Sequence, residues 1–167
     1  MDLLLQEIRD SIQAATRGMS MEQLAWHPEG KWSAAEILEH LSLTYSGTRA
    51  GCERCLKEDK PLARSRRLRD RLATLIVINF SHMPEGRKSP AAVLPKGAPV
   101  ENMLAETDRK IVAMDELLRT CEKRFGGRVK LMDHPILGPL NVQQWRKFHW
   151  VHARHHVKQI EGLRQCV

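Results

Sequence analysis

Apolar residues recur three and four positions apart along most of this chain, the period of amphipathic helices rather than strands. Leu4, Leu5, Ile8 and Ile12 form such a stripe and predict a first helix over 2–16, ended by Gly18. Met19 to Lys31 reads as a connection carrying Trp26, His27, Pro28 and Gly30. Ser33 with Glu36 three residues later is a capping box that opens a second helix running to about Leu56, with Trp32 and Ile37 placed as a hydrophobic staple. Its inward stripe is Ile37, His40, Leu41 and Thr44, with Leu38 at the margin, so a histidine sits on the apolar face. A third helix spans roughly Arg66 to Phe80, with Leu68, Leu72, Leu75, Ile76 and Ile78 as its apolar residues. Ser81 to Pro99 holds prolines and glycines without periodicity and reads as a long loop, a type that is often functional. A fourth helix follows from about Val100 to Lys123, with Leu104, Ile111, Met114 and Leu118 inward, and Gly126-Gly127 breaks it. Asp133 to Leu140 reads as a tight apolar loop, after which Asn141 and Gln144 cap a last helix to about Gln165. No strand and no repeat is evident. The pattern predicts an all-α fold: a four-helix bundle with one additional short helix and a long crossover, forming a single domain over 1–167.

Composition narrows the function classes. A chain of 167 residues that is 42% apolar and 28% charged can bury a real core. It has no apolar run of about 18 residues, which argues against a membrane span. The N-terminus lacks the basic and long apolar regions of a signal peptide, so a cytoplasmic protein is expected. The four cysteines read as reduced thiols, and the lone Cys52/Cys55 pair as two small helix residues rather than half a zinc site. The net charge of +7 would favour acidic partners, and much of it lies in Arg64, Arg66, Arg67, Arg69 and Arg71. That run comes without a nucleic-acid-binding motif and reads as a solvated face. Neither nucleic acid nor membrane is expected as a partner.

The candidate chemistry is in the histidines. His152 and His156 are four apart on the last helix, about 40° in azimuth and about 6 Å along the axis from one another. The H-E-x-x-H zinc motif has the same spacing, although no Glu follows His152. On its own this is equally a histidine-rich solvated face, because a metal site needs a third ligand. His40 supplies one if the two helix faces meet. Three imidazoles leaving an open position make a catalytic type of site, and they suit one divalent ion, zinc or nickel foremost, with copper, iron and cobalt open. Glu36 and Gln159 are candidate partners for the outer ring N–H groups. Trp145 shares the histidine face and is either a pocket wall or core. His149 lines the pocket or sits at the core edge, His155 reads as exposed, and His27 and His134 read as turn residues before prolines.

Two segments carry a family resemblance: Trp32-Ser33-Ala34-Ala35-Glu36-Ile37-Leu38-Glu39-His40-Leu41 and His152-Ala153-Arg154-His155-His156-Val157-Lys158-Gln159-Ile160. They resemble the DinB/YfiT-like superfamily, whose four-helix bundle has one histidine on its second helix and H-x-x-x-H on its fourth. Matched residue by residue, the family's metal ligands fall on His40, His152 and His156. Lys88-Ser89-Pro90 and His134 to Leu140 resemble an uncharacterised branch of the same superfamily. The likeness runs from the first helix to Ile160. It implies a metal-dependent enzyme acting on a small molecule, first a transferase using a low-molecular-weight thiol such as bacillithiol or mycothiol. A metal-dependent hydrolase is the alternative, with Glu36, Glu39 and His149 as the nearby candidates for its base. A non-catalytic metal-binding bundle that self-associates, for example as a homodimer, is the third reading.

Overall fold

The computed structural model describes residues 1–83 and 89–166. Its helices are α1 (Leu3–Thr16), α2 (Met21–Ala25), α3 (Ala34–Lys57), α4 (Leu68–Thr74), α5 (Met103–Phe125) and α6 (Val142–Arg164). α4 continues as one π-helical stretch, Leu75–Asn79, and single 3₁₀ turns cover Ala91–Val93 and Val100–Asn102. The four long helices, α1, α3, α5 and α6, form the bundle. Capping explains three of their starts: Asp2, Ser33 and Asn141 each accept a backbone N–H of the first turn, and the last two complete capping boxes with Glu36 and Gln144, whereas α5 continues from a 3₁₀ turn without a side-chain cap.

Cross-helix contacts fix the helix directions. Thr107 Oγ1 donates to the Leu38 carbonyl at 3.3 Å, and the Cys121 thiol faces the Cys52 carbonyl at 3.8 Å. Residue number rises together on both helices, so α3 and α5 are parallel. α1 and α6 are parallel too, since Arg146 lies 3.6 Å from Asp2 while Arg164 reaches the Ala14 carbonyl at 3.2 Å. The two pairs oppose each other: Asp2 donates its N–H to Asp115 at 3.1 Å, while Arg9 holds Asp108 with bonds of 2.5 and 2.9 Å. The order is therefore up, down, down, up. Two consecutive parallel helices oblige the chain to return along the length of α3, about 36 Å for its 24 residues. The segment 58–102 makes that return, so it must cross the end of the bundle where α3 and α5 begin.

The core is filled by Leu5, Ile37, Leu38, Leu41, Tyr45, Ile111, Met114, Leu118, Leu137, Leu140 and Ile160, all essentially inaccessible. Leu38, expected at the margin, is fully buried, and Leu104 is only half-buried. The connection after α1 contains α2, opened by a second capping box between Ser20 and Gln23. The loop expected over Asp133 to Leu140 is in part an antiparallel hairpin, β1 (Met132–His134) and β2 (Gly138–Leu140), so the expectation of no strand is corrected. Three-residue strands are too short to show a period of two, and their ladder is completed from outside the hairpin. The Leu62 N–H and the Cys55 thiol both donate to the Leu131 carbonyl, at 2.8 and 3.4 Å. Gly138 has φ +71°, and a Cβ there would fall 2.4 Å from Asp70 Cγ.

The third helix also departs from its expected face. Leu68, Leu72 and Leu75 are exposed, while Asp70, Thr74, Val77 and Ile78 are buried. The arrangement follows from Asp70, which accepts two bonds from Arg64 (2.6 and 3.0 Å) and one from the Arg67 N–H at 2.8 Å. Arg64 holds the Asp70 carboxyl well below the usual carboxylate range. The buried Asp70 carboxylate, held by a half-buried Arg64 and packed against the hairpin at Gly138, faces inward while the three leucines face water, and Val77 and Ile78 of the π stretch are buried after it.

Leu41 is completely buried in the first half of α3. Leu41→Ala should lower unfolding free energy by about 2–5 kcal/mol, read from urea melts followed by circular dichroism, with the slope of the transition unchanged.

Candidate metal centre

α3 and α6 cross antiparallel, and the crossing brings three imidazoles together. His152 and His156 project from one face of α6, and His40 projects from the apolar face of α3 onto them. His40 Nε2 and His156 Nε2 each lie 3.1 Å from His152 Nε2. One donor nitrogen from each ring falls within 4.8 Å of the others, and all three residues are buried.

Hydrogen bonds at the far side of two rings decide what faces inward. His40 Nδ1 lies 2.7 Å from the Val93 carbonyl, an acceptor, so Nδ1 carries the proton and Nε2 presents a lone pair. His156 Nδ1 lies 2.7 Å from Gln159 Oε1, with the same consequence. His152 Nε2 faces both lone pairs and can donate to only one, while its own Nδ1 is buried without a partner. Three nitrogens aimed at one another with at most one proton between them form an incomplete hydrogen-bond set and one that could hold a cation. Tetrahedral ligation with bonds of about 2.0 Å places nitrogens about 3.3 Å apart, close to the 3.1 Å of the two pairs that include His152.

The surroundings keep the rings neutral. Burial pushes His156 down to about 3, with His40 adding to the effect, and pushes His152 down strongly, helped by His156 and His40. His40 is lowered by burial too, against the opposing pull of the Val93 carbonyl. Trp32, expected as a staple, stands over the cluster with its ring 5.1 Å from His40 and 6.4 Å from His156. Phe148 stacks on His152 at 5.4 Å with 12° between planes.

The partners expected for the outer shell are placed unevenly. Gln159 does hold His156. Glu36 does not meet His40, because its carboxylate is spent on the Ser33 N–H at 2.8 Å in the capping box. The crossover supplies the Val93 carbonyl instead, a backbone group that no side-chain pattern announces. Glu39 is also committed: it accepts from the Lys96, Gly97 and Ala98 N–H groups at 2.9, 3.1 and 3.0 Å. His149 is fully buried below the site, its Nε2 2.9 Å from Thr48 Oγ1, and burial lowers it to about 3. Trp145 is buried against His149 at 5.9 Å and reaches the cavity wall, so it is core and wall at once.

A cavity of about 860 Å³ opens from the three rings. It runs along Thr44, Gly47 and Gly51 of α3 to the hairpin, and crossover residues Val93 and Leu94 wall it on the other side. His155, expected as an exposed neighbour, is half-buried on this wall, with Nε2 3.2 Å from Gln159 Nε2. His134, expected as a turn residue, is a turn residue that also lines the cavity. Ser89 and Pro90 line it as well, whereas Lys88 of the same motif lies outside the described residues. Among the described residues, Arg54 reaches the cavity and the 64–71 arginines do not.

Residues 1–162 match the family model of DUF1569, a protein of unknown function. The chain belongs to the DUF1569 family. A solved structure similar to it is that of YfiT from Bacillus subtilis, described as a probable metal-dependent hydrolase with an unusual four-helix bundle topology. The two share 19% identity and a TM-score of 0.60, over 98% of this chain and 83% of that one. At this identity the likeness establishes the fold, a four-helix bundle with the up-down-down-up course described above. No curated protein matches the sequence.

The lowered histidines of this DUF1569 member imply an acid-side instability. His134, His149 and His156 stand at about 4, 3 and 3 when folded, against about 6.5 when unfolded. Their contribution is intact above pH about 6.5. It is lost as pH falls towards 4, because the unfolded chain takes up protons that the folded one refuses. Urea melts of metal-free protein should lose up to about 1.4 kcal/mol per pH unit for each such histidine in that window. Stability that stays flat between pH 6.5 and 4.5 would contradict the burial described.

Proposed function

We propose that His40, His152 and His156 hold one divalent metal ion, and that the protein is a metal-dependent enzyme acting on a small molecule in the adjoining cavity. The observation that carries this reading is the donor set: three buried neutral imidazoles whose Nε2 atoms meet, two of them with the outer nitrogen fixed by an acceptor. Zinc or nickel suits such a set. When bound, the ion supplies Lewis acidity at an open position, which lowers the pKa of a thiol or water there. The chain's own residues do the rest. Val93 and Gln159 orient two rings and raise their basicity, Trp32 and Phe148 exclude water from the cluster, and the cavity positions the substrate.

The reaction we favour is thiol S-transfer, with a low-molecular-weight thiol as nucleophile. A water nucleophile calls for a base, and Glu36, Glu39 and His149 are all committed elsewhere. A thiol, with an ordinary pKa near about 8.5, loses its proton at such a centre without one. Hydrolysis is the second reading, favoured by the description of YfiT. Under that reading His155, half-buried on the cavity wall and tied through Gln159 to His156, is the side chain placed to accept a proton.

Two measurements test these statements. His152→Ala should take metal content from about one ion per chain to near none while the helical circular dichroism spectrum survives, because the four long helices still bury the core. Retained metal in a folded variant would refute the ligand assignment. For the reaction, an electrophilic acceptor is mixed with bacillithiol, mycothiol or glutathione, with zinc, with nickel and with chelator. Metal-dependent acceleration by one of the thiols is expected. Metal-dependent ester or amide hydrolysis without thiol acceleration would replace S-transfer by the hydrolase reading.

A further inference from the structure

The hairpin places a further histidine in the same cavity with its proton position already decided. His134 Nδ1 accepts two backbone N–H groups, those of Ile136 and Leu137, both at 3.1 Å. A nitrogen that accepts two donors holds no proton, so Nε2 carries it. The ring cannot turn without breaking both bonds. It is also clamped by aromatic neighbours, Phe148 at 4.3 Å and Trp145 at 5.6 Å between ring centres. Burial lowers the group to about 4, so it stays neutral near pH 7.

The Nε2–H has no hydrogen-bond acceptor among the described residues, and His134 lines the cavity. The neighbouring wall offers little competition. The Thr44 hydroxyl donates to the Leu41 carbonyl at 2.7 Å, Thr48 faces His149, and Arg54 and Asp133 are exposed at the rim. The rest of the lining near the hairpin is apolar, with Met132, Ile136 and Phe148. Phe148 lies between the two histidine groups, against His134 on one side and stacked on His152 on the other.

We propose that His134 Nε2–H is the donor that binds a carbonyl-type oxygen of the ligand, and that the ligand is otherwise apolar. A fixed, neutral donor in an apolar wall polarises a carbonyl without protonating it and selects against molecules lacking the acceptor. This rests on the reading above only in making the ligand a substrate; the binding itself needs no metal. His134 is thus the specificity-determining residue at the hairpin end, and the three histidines hold the reacting end.

The test compares benzophenone with 1,1-diphenylethylene, which replaces the carbonyl oxygen by a methylene. Both are titrated by nuclear magnetic resonance into metal-free and zinc-loaded protein, wild type and His134→Asn. Asparagine keeps an acceptor for the two hairpin N–H groups at the Nδ1 place and leaves the Nε2 place without a donor, its own amide N–H groups lying no further out than Cδ2, and the Ile136 and Leu137 amide signals report whether the turn is kept. The affinity ratio of ketone to alkene should fall about 3- to 10-fold in His134→Asn, with or without zinc. In the wild type, the His134 Nε2 nitrogen signal should shift with benzophenone and stay with the alkene. An unchanged ratio, an Nε2 signal indifferent to the ketone, or failure of both compounds to bind would overturn the proposal. Loss of zinc binding with the ratio effect intact would overturn the metal reading alone.

Discussion

One buried carboxylate holds the site together. Glu39 accepts three consecutive backbone N–H groups, those of Lys96, Gly97 and Ala98. Convergence of successive amides on one anion needs an unusual backbone, and Gly97, at φ +82°, supplies it. Charge-assisted bonds to a buried carboxylate are among the stronger ones a protein makes. They dock the returning crossover onto the first turns of α3. Three residues before that anchor the Val93 carbonyl meets His40 Nδ1, and the same strand of chain walls the cavity with Leu94. The up-down-down-up course makes the crossover obligatory, and Glu39 makes its position definite. Without that anchor His40 would keep its place on α3 but lose the acceptor that fixes its tautomer.

Burying this many imidazoles is costly only if they must be charged. Each ring here is paired so that it need not be: His40 with Val93, His156 with Gln159, His149 with Thr48, His134 with two amides. The cluster therefore accumulates lone pairs rather than protons at neutral pH. Its aromatic lining, Trp32 and Phe148, lowers the local dielectric and strengthens whatever charge the rings do meet. His149 and His152 each keep a buried Nδ1 unpartnered, and His152 is also the ring in the middle of the three. The least satisfied group in the cluster is thus the one whose position gains most from a cation.

The sequence carried the bundle well because its long helices announce themselves twice, by period and by caps. Ser33/Glu36 and Asn141/Gln144 bracket the two helices that bring the histidines together, and the inward stripe of α3 already put His40 on the right face. What stayed hidden has a common physical cause. The Val93 carbonyl, the amides that Glu39 binds and the three-residue strands of the hairpin are backbone features, and backbone groups leave no residue-type signature. The face of α4 was misread for a different reason. Leucine spacing implied burial, but Asp70, satisfied by Arg64 and the Arg67 N–H, took the interior. The available signal was Asp70 standing alone among the arginines of 64–71, an acid with cationic partners close by in the chain. His134 shows the limit of reading a residue by its local role: a turn histidine before proline is ordinary, and only the hairpin's packing against Trp145 and Phe148 of α6 sets it on the cavity wall.

The topology and the chemistry rest on different grounds. The bundle shared with YfiT at 19% identity explains why α3 and α6 cross, and any sequence adopting it could do so without a single histidine. The chemistry rests on this chain's own side chains and on their convergence. A donor set that is incomplete as a hydrogen-bond network, an apolar cavity opening directly from it, and a further neutral histidine fixed on the cavity wall across Phe148 each admit a structural explanation alone. Together they set converging imidazole nitrogens and a fixed N–H donor on one small-molecule volume. A core assembled for stability has no use for either: apolar residues of the same volume would fill the space without leaving His152 Nδ1 and the His134 Nε2–H unmatched.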